Sequence, residues 1–101
     1  NTVTPDLNWH IYTQIYDGTQ TGNAQRLKFR YDGQPVTLNF GATTVGTSTA
    51  AGISNMEIAW DGTGNYWLGD IAEILFFNTA QSSSNITFIE GYLNQKYGLG
   101  L

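Results

Sequence analysis

The chain alternates short patterned runs with clusters of turn-forming residues. Over residues 9–16 (WHIYTQIY), Trp9, Ile11, Thr13 and Ile15 share one side while His10, Tyr12, Gln14 and Tyr16 share the other, which is the period-two pattern of a strand. Asp17-Gly18 opens a turn, and residues 19–23, with Gly22, read as a polar loop. Residues 24–31 (AQRLKFRY) predict a second strand, with Leu27, Phe29 and Tyr31 on one face and Arg26, Lys28 and Arg30 on the other. Asp32-Gly33 between two alternating runs predicts a hairpin into a third strand over residues 36–40, and Pro35 suits the start of an edge strand. Residues 41–52 are small and polar and read as a loop with a short extended piece near 43–45. Residues 53–60 predict a fourth strand, with Met56, Ile58 and Trp60 in register, and 61–65 form a glycine-rich turn.

The most apolar run is 66–78 (YWLGDIAEILFFN). Both of its faces are apolar apart from Asp70 and Glu73, which predicts a central strand covered above and below. Residues 82–97 predict the single helix. Ile86, Ile89, Leu93 and Tyr97 form a stripe at helical spacing. Ser82 is the N-cap, Asn85 a weak capping-box partner, and Gly98 the stop. The expected fold class is therefore all-β and antiparallel, closed by one short C-terminal α-helix.

Composition supports strands over helices. The 101 residues allow one domain at most, and glycine numbers 12, alongside frequent Thr, Ser and Asn. Charged residues make up only 12%, about half the usual share. The net charge is −4 and Lys plus Arg total 4, so the chain lacks the broad basic face that grips phosphate backbones, and no nucleic-acid partner is expected. Arg26, Lys28 and Arg30 read as the wet face of one strand. Without cysteine, disulfides and thiolate metal sites are excluded. No apolar run approaches the roughly 20 residues that cross a bilayer, so membrane insertion is not expected. Low charge with many Thr, Ser and Asn leans towards an extracellular or virion surface. The chain opens at Asn1 without Met, which reads as a processed product or a segment of something longer.

Residues 66–78, with their Gly69-Asp70-Ile71-Ala72-Glu73-Ile74 core, are followed by a capped helix ending Ile89-Glu90-Gly91-Tyr92-Leu93-Asn94-Gln95-Lys96-Tyr97-Gly98-Leu99. This resembles the closing strand and helix of concanavalin A-like (laminin-G-like) lectin/glucanase domains of bacterial and phage proteins. Residues 9–18 resemble that family's W-H-x-V…Y-D-G strand, and 27–33 its L-Y-V-D-G hairpin. The resemblance spans most of 9–99 and is specific at its closing segment. It implies a jelly-roll sandwich of two antiparallel sheets. Family domains are longer and open on a W-x-D-A-S-D-like segment that has no counterpart before Trp9. The expectation is thus either a single domain over 1–101 or the C-terminal part of a larger one whose other strands lie elsewhere. The two-sided apolarity of 66–78 demands further cover.

Candidate chemistry is sparse. Glycosidases need two carboxyls about 5 Å or 6.5–9.5 Å apart across a sugar, and glucanases of this fold carry E-x-D-x-E on one strand. Asp70 and Glu73, three apart on a strand, point to opposite faces. Glu73 is expected to be a paired or edge carboxylate. His10 is the only histidine, with no serine elbow to complete a triad, and reads as a surface or cross-strand residue. Asp61, Asn65 and Asp70 flank the glycine-rich turn and form a candidate calcium site; no other cofactor is expected. Trp60, Asp61, Asn65, Tyr66 and Trp67 form a candidate glycan platform, against the expectation that Trp60 and Trp67 fill the core. Tyr12, Tyr16 and Tyr31 are alternatives on exposed faces.

These observations lead to a non-catalytic binding or adhesion module with a glycan or neighbouring protein subunits as partner, either as an oligomer or as part of a larger protein. The alternatives are a capsid-decoration or tail-associated structural subunit that binds no sugar, and a remnant of a glycoside hydrolase.

Overall fold

The computed structural model describes residues 6–49, 58 and 63–101. Its elements, in chain order, are strand β1 (Tyr12–Tyr16), a single helical turn α1 (Asn23–Arg26), strands β2 (Leu27–Tyr31) and β3 (Gln34–Val36), and helix α2 (Ser83–Tyr97). The three strands form one antiparallel sheet in the order β1-β2-β3. The predicted fourth strand lies outside the described residues except for Ile58.

The hairpin forms where the Asp-Gly pair predicts it. Asp32 and Gly33 both adopt positive φ, 49° and 75°, the handedness that matches the twist of the flanking strands. Asp32 and glycine tolerate this backbone where a β-branched residue would be strained. Pro35 lies in edge strand β3, paired with Arg30, and β3 ends at Val36 rather than running to Phe40.

Two strands are shorter than the pattern suggests. β1 begins at Tyr12. Residues 23–26, read as the start of a strand, instead wind into α1. Gly22 enters that turn at φ 82°, and the Asn23 side chain reaches the 41–49 loop: its Nδ2 donates to the Thr43 carbonyl at 2.7 Å, and its Oδ1 accepts from the Val45 N–H at 2.9 Å. These bonds, to groups 20 and 22 residues away, hold Asn23 against the loop and out of the sheet. Residues 43–45 form no strand.

Helix α2 matches its predicted caps. Ser82 Oγ accepts from the Asn85 N–H at 3.2 Å, and Gly98, at φ 62° and ψ 40°, ends the helix with its N–H on the Asn94 carbonyl. The buried face differs from the predicted stripe. Ile86, Ile89 and Leu93 are half-buried and Tyr97 is exposed, while the buried residue on the helix is Glu90.

Residues 66–78 depart furthest from the expected central strand. Apart from an isolated bridge at Tyr66, this segment pairs with no strand among the described residues. Nor is it covered on both faces: Leu68 is 97% and Phe76 77% exposed, and Ile71, Ile74, Leu75 and Phe77 are exposed as well. A run apolar on both sides becomes a central strand only when ladder partners flank it and layers cover it. The described part of this chain supplies neither, and no second sheet is present among the described residues. Ile11 is the one buried apolar side chain among them.

Loop 41–49 is fastened to the strand region by polar contacts. Tyr16 Oη donates to the Gly46 carbonyl at 3.0 Å, and Arg26 Nη1 donates to the Val45 carbonyl at 3.0 Å. Gly18 lies so close to this loop that a Cβ there would sit 2.1 Å from the Thr47 carbonyl oxygen, a backbone atom that cannot simply swing away. Gly18→Ala should therefore cost about 1–3 kcal/mol, as overpacking does. A urea titration of the two proteins checks this, and an unchanged midpoint would show that the loop yields freely.

Candidate functional site

The strand register decides what each sheet face carries. Thr13 pairs with Arg30, Tyr12 with Tyr31, and Ile15 with Lys28. Side chains alternate along each strand, so Thr13, Ile15, Lys28 and Arg30 share one face, while Tyr12, Phe29 and Tyr31 share the other.

On the first face the helix docks through a charged centre. The Arg30 guanidinium grips the Glu90 carboxylate with two nitrogens, Nη2 to Oε2 at 2.8 Å and Nε to Oε1 at 2.9 Å. Arg30 Nη2 also donates to the Gly33 carbonyl. Thr13 Oγ1 donates to Glu90 Oε1 at 2.7 Å. The Glu90 side chain is 8% exposed and that of Arg30 26%. Burial alone would push the Glu90 carboxyl up. The hydrogen bonds from Arg30 and Thr13, with the guanidinium charge, outweigh it and hold the group below the usual carboxylate value.

The three bases do not form the wet face expected of them. Of Arg26, Lys28 and Arg30, only Lys28 is exposed. Arg26 donates to the Gln20 and Val45 carbonyls, and Arg30 is engaged by Glu90. Beside this docking point lies an open cleft of about 360 Å³, bounded among others by Ile15, Leu27, Val36, Leu38, Phe40 and Ile86.

The second face is aromatic and open. Tyr12 and Tyr31 meet edge to face with centroids 5.1 Å apart, and Phe29 lies 6.0 Å from Tyr12. Trp67 joins them, its ring nearly perpendicular to Tyr12 at 6.4 Å. Tyr12 is 51% and Trp67 53% exposed, and Tyr66 is exposed too. Trp67 therefore does not fill a core as expected. Desolvation, first, with the neighbouring Tyr12, pushes the Tyr31 hydroxyl up to about 12.

At the rim of this face the His10 ring stacks on Tyr31 at 4.8 Å. It is the cross-strand residue anticipated, with a fuller set of partners: Asp32 on Nδ1 at 2.7 Å and Asp6 on Nε2 at 2.8 Å.

The other predicted site residues fare unequally. Trp60 and Asp61 lie outside the described residues. Asn65, Tyr66 and Asp70 are exposed in the connection leading to α2. Glu73 is paired as expected, accepting from Lys96 Nζ and Tyr97 Oη, both at 2.9 Å; these bonds hold its carboxyl below the usual range, while Glu73 in turn raises the Lys96 ammonium. Among the described residues no group of three or more His, Asp or Glu side chains is arranged to hold a metal ion, and no helix is long and apolar enough to cross a membrane.

Comparison with protein-family models, with curated proteins and with solved structures gives no match.

Sequence reasoning placed Tyr12, Tyr31 and Trp67 among its candidates but not together; the strand register joins the first two, and only the tertiary path of the connection adds the third. It missed the Arg30–Glu90 pair, for which the one available signal was a lone acid between Ile89 and the rest of the apolar stripe.

Glu90 anchors both strands, so Glu90→Gln, which keeps the shape and removes the charge, should destabilise the chain by about 2 kcal/mol. The carboxyl lies below its ordinary 4.5 in the folded chain. Its stabilising contribution is therefore complete above that value and fades as pH falls through the lowered folded value. Melting curves across acidic pH should show the gap between wild type and Glu90→Gln closing there; a gap constant with pH would refute the assignment.

Proposed function

We propose that this chain is a non-catalytic binding module of concanavalin A-like (laminin-G-like) character, acting in adhesion on an extracellular or virion surface, and that it contacts glycans through the aromatic face of its sheet. The observation that carries this reading is the aromatic group in which Tyr12 and Trp67 are exposed and the half-buried Tyr31 and Phe29 lie against Tyr12. Aromatic side chains combine an apolar face, which suits the C–H side of a pyranose, with a polar tip that can bond its hydroxyls. Leaving such large rings in water has no packing rationale. The resemblance in sequence supports the same reading, because residues quoted for it meet in space: Asp32-Gly33 shapes the turn whose carbonyl Arg30 reaches, and Glu90, from the Ile89-Glu90-Gly91-Tyr92-Leu93 run, closes on Arg30. In this reading the three-stranded sheet is part of a jelly-roll sandwich. Asn65 and Tyr66, beside Trp67 in the chain, are the polar and aromatic neighbours that would border the ligand, and calcium near Asp61, Asn65 and Asp70 would order that border.

Trp67 and Tyr12 are half exposed, so their loss should be read in binding and not in folding. On a glycan array followed by calorimetry, Trp67→Ala and Tyr12→Ala should each weaken the wild-type sugar contact about tenfold, the loss of about 1.4 kcal/mol, with melting temperatures near wild type. Silence of the wild-type chain on the array, or a Trp67→Ala protein that loses stability instead of affinity, would sink the glycan reading.

A second reading rests on a separate observation, the exposed apolar side chains of Leu68, Ile71, Ile74, Phe76 and Phe77 in the connection and Phe88 on α2. Exposed apolar surface on this scale suits a structural subunit of a capsid or tail that packs on its neighbours and binds no sugar. Sedimentation equilibrium separates the two. A lectin should be monodisperse and melt higher with its sugar, whereas a structural subunit should self-associate or gain stability only with its neighbour.

A further inference from the structure

The His10 ring lies between two carboxylates from different parts of the chain. Its Nδ1 is 2.7 Å from Asp32 Oδ2, in the β2–β3 turn, and its Nε2 is 2.8 Å from Asp6 Oδ1, in the segment before β1. Both acids already accept another hydrogen bond. Asp32 Oδ1 takes the Ile11 N–H at 2.9 Å, and Asp6 Oδ1 takes the Asn8 N–H at 2.7 Å. A carboxylate offers acceptors only, so each of these contacts needs an N–H from the ring. A neutral imidazole has one N–H to offer, and an imidazolium has two. Both contacts can be hydrogen bonds together only when the ring is protonated.

We propose that His10 is a proton-dependent latch that ties Asp6 to the β2–β3 turn through the imidazole, closed while the ring carries its proton and opened at Asp6 when the proton leaves.

The side that opens follows from exposure. Asp32 is 17% exposed and anchored to the Ile11 N–H, so the neutral ring keeps its single N–H for Asp32. Asp6 is 45% exposed and takes water in place of the ring. The titratable groups facing the imidazole are Asp6 from its own segment, Asp32 from the turn, Tyr31 stacked on it from β2, and Tyr12 edge-on at 6.5 Å from β1. The carboxylates, Asp6 first and then Asp32, outweigh desolvation and raise the ring above its ordinary 6.5. The latch is therefore fully closed below that value, and its contribution is lost as pH rises through the raised one.

An NMR titration of the whole chain over roughly pH 5 to 9 tests this, following the His10 ring carbons and the Asn8 amide. The ring midpoint should lie above 6.5, and the Asn8 amide, bonded to the released acid, should shift with the same midpoint. Asp6→Asn, a change at an exposed side chain, should lower the ring midpoint and abolish the Asn8 step, while the resonances of Asp32 and Ile11 keep their folded positions. A wild-type midpoint at or below 6.5, an Asn8 amide that does not follow the ring, or a midpoint unmoved by Asp6→Asn would each overturn the latch.

Discussion

The attachment of α2 to the sheet depends on the charged contact between Arg30 and Glu90. A carboxylate 8% exposed is tolerable only when its lone pairs are occupied, and here Arg30 and Thr13 occupy them. The demand is geometric as well as energetic. Arg30 presents a planar fork, so the helix must sit at one rotation and one height for Glu90 to meet it. Thr13 comes from β1 and Arg30 from β2, which makes the contact sense the register of the two strands. Gly33, in the turn, receives the same guanidinium, so the Asp32-Gly33 backbone is coupled to helix docking. One carboxylate thus ties together three elements that are far apart in the chain.

Polar contacts of this kind recur across the described structure. Asn23 and Arg26 fasten the 41–49 loop, Asn94 bonds both the N–H and the carbonyl of Leu101, and Glu73 joins the connection to the last turn of α2 through Lys96 and Tyr97. Buried apolar surface contributes less, because one sheet face is aromatic and open and the connection leaves its apolar side chains exposed. A chain of about 100 residues has limited surface to hide. Directional bonds therefore specify the arrangement, while the apolar side chains remain available for a ligand or a neighbour.

The turn and helix ends were legible in the sequence because their causes are local. Asp32-Gly33 makes a hairpin turn through its own backbone preference, and Ser82 and Gly98 bound the helix through atoms within four residues. The alternation in residues 12–16 and 27–31 likewise reveals strands. The wetness of each face was not legible. Lys28 and Arg30 alternate identically with their apolar neighbours, yet one is exposed and the other engaged by Glu90, a residue 60 positions away. The candidate platform was legible only in part: Tyr12, Tyr31 and Trp67 could be named as aromatic candidates, but nothing local says that Trp67 lies against Tyr12.

By itself, then, the sequence determined the antiparallel hairpin, the capped helix, and the absence of cysteine chemistry and of a broad basic face, all properties of composition or of neighbours along the chain. Tertiary structure alone decided that Arg30 is an anchor, that His10 bridges two acids, that residues 23–26 coil instead of extending, and that the apolar run after Tyr66 stays uncovered. The physical reason is the same throughout. A side chain's partner across the fold, and whether an apolar run finds a ladder and a covering layer, depend on groups distant in sequence.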